Sequence, residues 1–176
     1  MIREFKPALI FLVKFLAVYF LGNIIYGLYI ESFGSVADPM TSWVSEQAVV
    51  FIRFVGMNSE TLGDDFAPKV RLLLDGHSVV SVYEGCNGLN VMIIFVAFLM
   101  AYAGNARRLL WFIPFGLLVI HLINLVRIIL LFFVAEYYKH YLYFTHKYLF
   151  TAVIYVVVLI LWYWWITRLS KNSNDE

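Results

Sequence analysis

The sequence predicts an all-α integral membrane protein: a bundle of about four transmembrane helices, an interfacial or re-entrant helix, and a short external β-hairpin. Three observations carry this reading. Of 176 residues, 62% are hydrophobic and 14% charged, against about 45–50% and about 25% in soluble domains. Four apolar runs approach the roughly 20 residues that a spanning helix needs. One Asp-Gly pair, Asp75-Gly76, stands between β-branched runs, which is a strong short-range hairpin signal.

The composition excludes a soluble domain and a disordered chain. Thirteen basic residues against twelve acidic ones give a formal charge of +1. There is no polycationic face, so no nucleic-acid partner is expected. Cys86 is the single cysteine. It excludes an intrachain disulfide, a CxxC redox pair and a Cys-rich metal site. No metal or other cofactor is expected, and the sequence has neither Gly-x-Ser-x-Gly nor His-Glu-x-x-His.

The first span covers 9–30. Arg3, Glu4 and Lys6 precede it, and Pro7 suits a helix start. Tyr26, Leu28, Tyr29 and Ile30 continue it with no small-residue exit. It therefore reads as a retained helix rather than a cleaved signal peptide. Lys14, one turn inside, snorkels to the near headgroups. The stretch 42–56 reads as a helix with Ser42 as N-cap and Glu46 and Arg53 on one face. About 15 residues reach only about 22 Å, short of a hydrocarbon core of about 30 Å. The preferred reading is an interfacial or re-entrant helix, and a fifth span is the alternative.

A polar stretch over 58–69 leads to the hairpin at 70–83, which runs directly into Glu84-Gly85-Cys86-Asn87-Gly88. Spans follow at 88–104, 109–135 and 148–167. Gly104-Asn105 and Arg107-Arg108 separate the first two, and a polar, tyrosine-rich loop over 136–147 separates the last two. Trp162, Trp164 and Trp165 form an interfacial belt. The whole chain, 1–176, reads as one membrane domain.

With four spans, one membrane side collects Arg3, Lys6, Arg107, Arg108, Arg168 and Lys171 in short segments. The other side has long loops rich in acids. The positive-inside rule then puts both termini in the cytoplasm. This orientation brings three reactive side chains to one depth at the outer face: Cys86 at the mouth of the second span, Arg127 about two turns below the end of the third, and His146 just outside the fourth.

Each has two readings. Arg127 either snorkels outward or points into the bundle with Asn124, which shares its helical face. Cys86 is either a small buried hydrophobe or a thiolate favoured by a cation or a helix N-terminus, with Gly85 and Asn87-Gly88 leaving room for close approach. His146 is either an interfacial histidine or a proton shuttle, with His140 as its rival. His121 reads as a cross-helix hydrogen-bonding residue and His77 as solvated. Glu84 either orients a partner or ends the hairpin. As a set, a thiolate, a guanidinium and an imidazole suit acyl transfer at a peptide carbonyl. A non-enzymatic scaffold or a transporter subunit is the rival; apolar Phe115, Leu117 and Leu118 interrupt the His121-Asn124-Arg127 stripe and disfavour transport.

These residues resemble the exosortase/archaeosortase family of membrane transpeptidases. Four parts match in order: a short amphipathic helix ending near Gly56; a hairpin running into Glu84-Gly85-Cys86-Asn87-Gly88-Leu89; Asn124-Leu125-Val126-Arg127; and His146 opening the last helix. The resemblance implies that Cys86 is the nucleophile, Arg127 the thiolate or oxyanion partner, and His146 the proton-transfer group, with Glu84, Asn87, Gly88 and Asn124 in support. It implies cleavage through a thioester at Cys86. The substrates would be secreted proteins with a C-terminal sorting signal: a short motif, an apolar transmembrane tail and a basic cluster. It places the enzyme in the bacterial inner membrane, multi-pass, with its site facing the periplasm. The small number of spans resembles the compact bacterial exosortase F type. Asn87 stands where serine is commoner and Asn90 where many members have arginine.

Overall fold

The computed structural model describes residues 2–102 and 106–169. The Gly104-Asn105 turn and Lys171 lie outside the described residues. Helix α1 runs Ile2–Glu31, so it begins upstream of Pro7, which lies inside it. Its apolar side chains, among them Leu9, Val13, Phe20, Ile24 and Leu28, are exposed. Such a surface is stable against lipid and not against water. One face of α1 packs on α3 (Leu89–Ala101). Gly22 permits this approach, because a Cβ there would lie 2.8 Å from Ile93 Cγ2.

Helix α2 runs Pro39–Phe54. Its N-cap is Asp38, not Ser42: the Asp38 carboxylate accepts the N–H groups of Met40 and Thr41. Pro39 supplies a first helical residue with a preset φ, and the acid before it meets the orphan donors. One face of α2 buries Val44, Ala48, Val49 and Ile52, while Val50, Phe51 and Phe54 are exposed.

Three antiparallel strands follow in the order β1 (Ser59–Gly63), β2 (Lys69–Leu74), β3 (His77–Tyr83). The β2–β3 turn is Asp75-Gly76, with φ +48° and +83°. Positive φ at both central residues marks a type I′ turn. The outer strand β1 lies in the stretch 58–69 read as polar chain. Its own alternation is weak, and tertiary bonds recruit it: Ser59 Oγ donates to the Leu73 carbonyl at 2.7 Å, and Arg53 Nε donates to the Ser59 carbonyl.

Helix α4 covers Ala106–Tyr137. At about 1.5 Å per residue it is about 48 Å long, so it projects well beyond a hydrocarbon core of about 30 Å. The chain from Lys139 is helical too, where a loop to residue 147 was expected. A 3-10 turn (Lys139–Tyr141), the short α5 (Leu142–Phe144) and a π-helical turn (Thr145–Leu149) precede α6 (Phe150–Trp164). A second π-helical turn, Trp165–Leu169, continues it. Of the tyrosines that read as loop polarity, Tyr137, Tyr141 and Tyr143 lie in helical turns and Tyr138 between them.

Among the described residues three helices are long and apolar enough to cross a membrane, over Phe5–Glu31, Ala106–Tyr137 and Lys139–Arg168, and α3 is a shorter apolar helix. With the small sheet, this is the mostly helical membrane fold that the sequence predicts. Two cores hold it. Val44, Ile52, Leu72, Val82, Ile128 and Phe132 join α2 and the sheet to one half of α4. Phe95, Leu99, Phe112, Val158, Leu161 and Trp165 join α3 and α6 to the other half.

Gly116 on α4 faces the Phe95 ring, and a Cβ there would lie 2.1 Å from Phe95 Cζ. Gly116→Ala is therefore expected to lower stability by about 1–3 kcal/mol through overpacking. Thermal unfolding in detergent measures this, and Phe95→Leu in the same chain should recover part of the loss. An unchanged melting temperature would show that the ring retreats freely.

Candidate active site

Cys86 closes a single 3-10 turn, Glu84–Cys86, between β3 and α3. Two residues later Gly88 adopts φ +88°, the left-handed conformation that glycine takes at least cost. Between them Asn87 is wholly buried. Its Oδ1 accepts the Leu89 N–H at 3.0 Å, which closes the turn onto the start of α3. Its Nδ2 faces Asp38 Oδ2 at 3.4 Å, Thr41 Oγ1 at 3.3 Å and the Tyr26 hydroxyl at 3.5 Å. Thr41 Oγ1 donates to Asp38, and the Tyr29 hydroxyl donates to Asp38 at 3.4 Å. The Tyr26 hydroxyl donates to the Glu84 carbonyl at 3.0 Å. The turn that carries the thiol is thus tied to α1 and to the cap of α2.

On the other side α4 supplies Asn124, which is fully buried. Its Nδ2 donates to the Cys86 carbonyl at 2.9 Å. Its side chain also lies against Gly88, where a Cβ would come within 3.3 Å of Asn124. So a side chain at Gly88 meets both a backbone and a packing obstacle.

The half-buried thiol faces His146. Cys86 Sγ lies 3.9 Å from His146 Nε2, a long sulfur hydrogen-bond contact across 60 residues of sequence. His146 sits in the π-helical turn at the start of the last helix. The other histidines are engaged elsewhere. His121 Nε2 bonds Gln47 Oε1 at 2.8 Å and its ring stacks on Trp43. His77 is paired with Glu136 at 3.3 Å although it is exposed. His140 meets the Tyr141 ring edge-on.

Arg127 follows Asn124 by nearly one turn of α4. It is half-buried, and its Nε is shielded without a hydrogen-bond partner. It lies near enough to His146 to act on it electrostatically. No hydrogen bond joins it to Cys86 or His146 among the described residues. Glu84 has one carboxylate oxygen shielded and unpartnered. Burial, together with the charge of Asp38, holds its carboxyl above the ordinary range. Among the described residues no three His, Cys, Asp or Glu side chains converge to hold a metal ion.

The arrangement sets a thiol beside an imidazole, with a guanidinium close by and the backbone of the thiol residue pinned from two sides. That is the equipment for thiol activation and proton transfer. Tyr26, Tyr29, Asp38 and Thr41 were missed by sequence reasoning. Asp38-Pro39 carries a helix-start signal. Nothing local links it to Asn87, and the two tyrosines read as part of an apolar span.

The description Transmembrane exosortase belongs to the family model that matches residues 5–165. No curated protein and no solved structure matches the chain.

Two predictions follow from the geometry. Asn124→Ala leaves the Cys86 carbonyl without its donor, and Asp38→Ala removes both a cap and a partner of Asn87. Each should cost about 1–3 kcal/mol in thermal unfolding and speed alkylation of Cys86 by a maleimide. Unchanged alkylation in both variants would show that these bonds do not hold the turn. The second concerns Glu84. Its folded pKa is raised, so its contribution to stability is fully present below the ordinary glutamate value and is lost as the pH rises through the elevated one. Glu84→Gln should flatten the melting temperature over that window, and an identical pH profile in the variant would contradict the assignment.

Proposed function

The chain belongs to the transmembrane exosortase family, and from that premise we propose that it is a membrane cysteine transpeptidase or protease acting through Cys86. The family is one of cysteine transpeptidases with a sorting function. The observation that carries the proposal for this chain is the Cys86 Sγ–His146 Nε2 contact of 3.9 Å. Thiol and imidazole come from elements far apart in sequence, and nothing in the local chain forces them to meet.

In the proposed reaction His146 Nε2 takes the thiol proton, and the sulfur bonds to the substrate carbonyl carbon. The tetrahedral oxyanion and the thiolate before it are stabilised by the Arg127 guanidinium. The C–N bond then breaks, and His146 returns the proton to the departing amine. The protein is left as a thioester on Cys86, which water or an acceptor nucleophile resolves. Asn124 and Asn87 are positioning residues: they hold the backbone on either side of the thiol, while Gly88 allows the turn.

The substrates proposed are secreted proteins with a C-terminal sorting signal and an apolar transmembrane tail. A tail held in the bilayer confines the search to two dimensions and brings the scissile bond to the interface. We place both termini in the cytoplasm and the site on the periplasmic face of the inner membrane, from the short basic segments on one side and the long acidic loops on the other. Four proposed spans support grouping the chain with the compact F type.

The test is co-expression with a secreted protein bearing a C-terminal span, at matched enzyme levels. Tail removal is followed by gel shift and intact mass. Cys86→Ala should abolish it. His146→Ala should slow it by about 10²–10⁴-fold. Arg127→Lys, which keeps the charge, should retain more activity than Arg127→Ala. Equal tail loss in the wild type and in Cys86→Ala would falsify the proposal.

A further inference from the structure

The end of the bundle opposite Cys86 holds a second feature that the proposed chemistry does not use. A groove of about 740 Å³ opens there between the start of α1, the end of α3 and the second π-helical turn. Its volume lies in the usual range for ligand sites of about 300–1,000 Å³. Phe11, Phe98, Tyr102 and Ile166 line it, with Lys6 and Lys14 at its border. Phe11 meets Phe98 edge-on at 5.5 Å and Tyr102 at 6.2 Å, so the floor is an aromatic wall.

Both lysines are exposed, and neither has an acidic partner among the described residues. Lys14 lies within the apolar stretch of α1. A cation at that depth is unfavourable unless it snorkels or meets an anion. Ile10 and Lys14 of α1, which line the groove, are exposed.

We propose that this groove binds one anionic phospholipid, with its phosphate between Lys6 and Lys14 and an acyl chain against Phe11, Phe98 and Tyr102. Charge complementarity decides the occupant. A soluble phosphate has no use for the aromatic wall. A second copy of the chain related by a two-fold axis would set its own Lys6 and Lys14 against these. An anionic lipid satisfies both halves of the groove and is supplied by the surrounding membrane. This site is independent of the reaction proposed at Cys86.

The experiment uses the full chain in a neutral detergent. It is titrated with phosphatidylglycerol or with phosphatidylcholine of the same acyl chains, and bound lipid is counted by native mass spectrometry. The wild type should prefer phosphatidylglycerol, with each lysine contributing about fivefold. Lys6→Gln/Lys14→Gln should remove the preference while leaving phosphatidylcholine binding as it was. Lys6→Arg/Lys14→Arg should keep it, as should Lys147→Gln at the far end. Should the double glutamine variant fail to insert, Lys6→Gln alone still tests the site, since Lys6 lies at the start of α1. Equal affinity for the two lipids in the wild type overturns the proposal. So does a preference that survives the glutamine variants, or a groove occupied by a second copy, seen as a dimer that added phosphatidylglycerol does not dissociate.

Discussion

Asn87 is the point on which the arrangement around the thiol depends. It is wholly buried, and a buried amide must be satisfied or the turn does not form. Its oxygen closes onto Leu89 and its nitrogen onto a group built from α1 and α2. Asp38 in turn caps α2, so one carboxylate serves a helix end and the site together. Moving α2 would leave Asn87 short of partners, and moving Asn87 would shift Cys86. The reactive turn is therefore held by polar bonds buried between helices, where a low dielectric makes each of them matter more.

The second constraint is steric. The helices of α1, α3 and α4 come together through Gly22 against Ile93 and Gly116 against Phe95. In lipid there is no hydrophobic force to press helices together, so close packing by small residues does that work. These contacts set the height of α3 against α4. That height decides whether Asn124 reaches the Cys86 carbonyl. The packing in one half of the bundle thus sets the geometry of the other.

Much of the architecture was legible in the sequence because its signals are local. Apolar run length marks the long helices, and Asp75-Gly76 marks the turn between β2 and β3. Cys86, Asn87, Gly88 and Asn124 also stood out, since small and amide residues are conspicuous beside apolar spans. The less legible parts fail for physical reasons. Strand β1 has little pattern of its own and exists because β2 offers an open edge. The segment 139–147 reads as polar loop, yet it coils into helical turns that carry His146 to the thiol. Ser42 and Asp38 are both acceptable caps by type, and Pro39 decides between them.

What the sequence determined by itself is the solvent of each segment. Hydropathy is a sum over neighbouring residues, and neither span length nor a tight turn needs distant partners. What only the tertiary structure decided is which polar groups meet. Cys86 and His146 are 60 residues apart, and Asp38 and Asn87 are 49 apart. Each meeting depends on the tilt, height and rotation of helices about one another. Those are set by side-chain packing at Gly22, Gly116 and their partners, which no local pattern encodes.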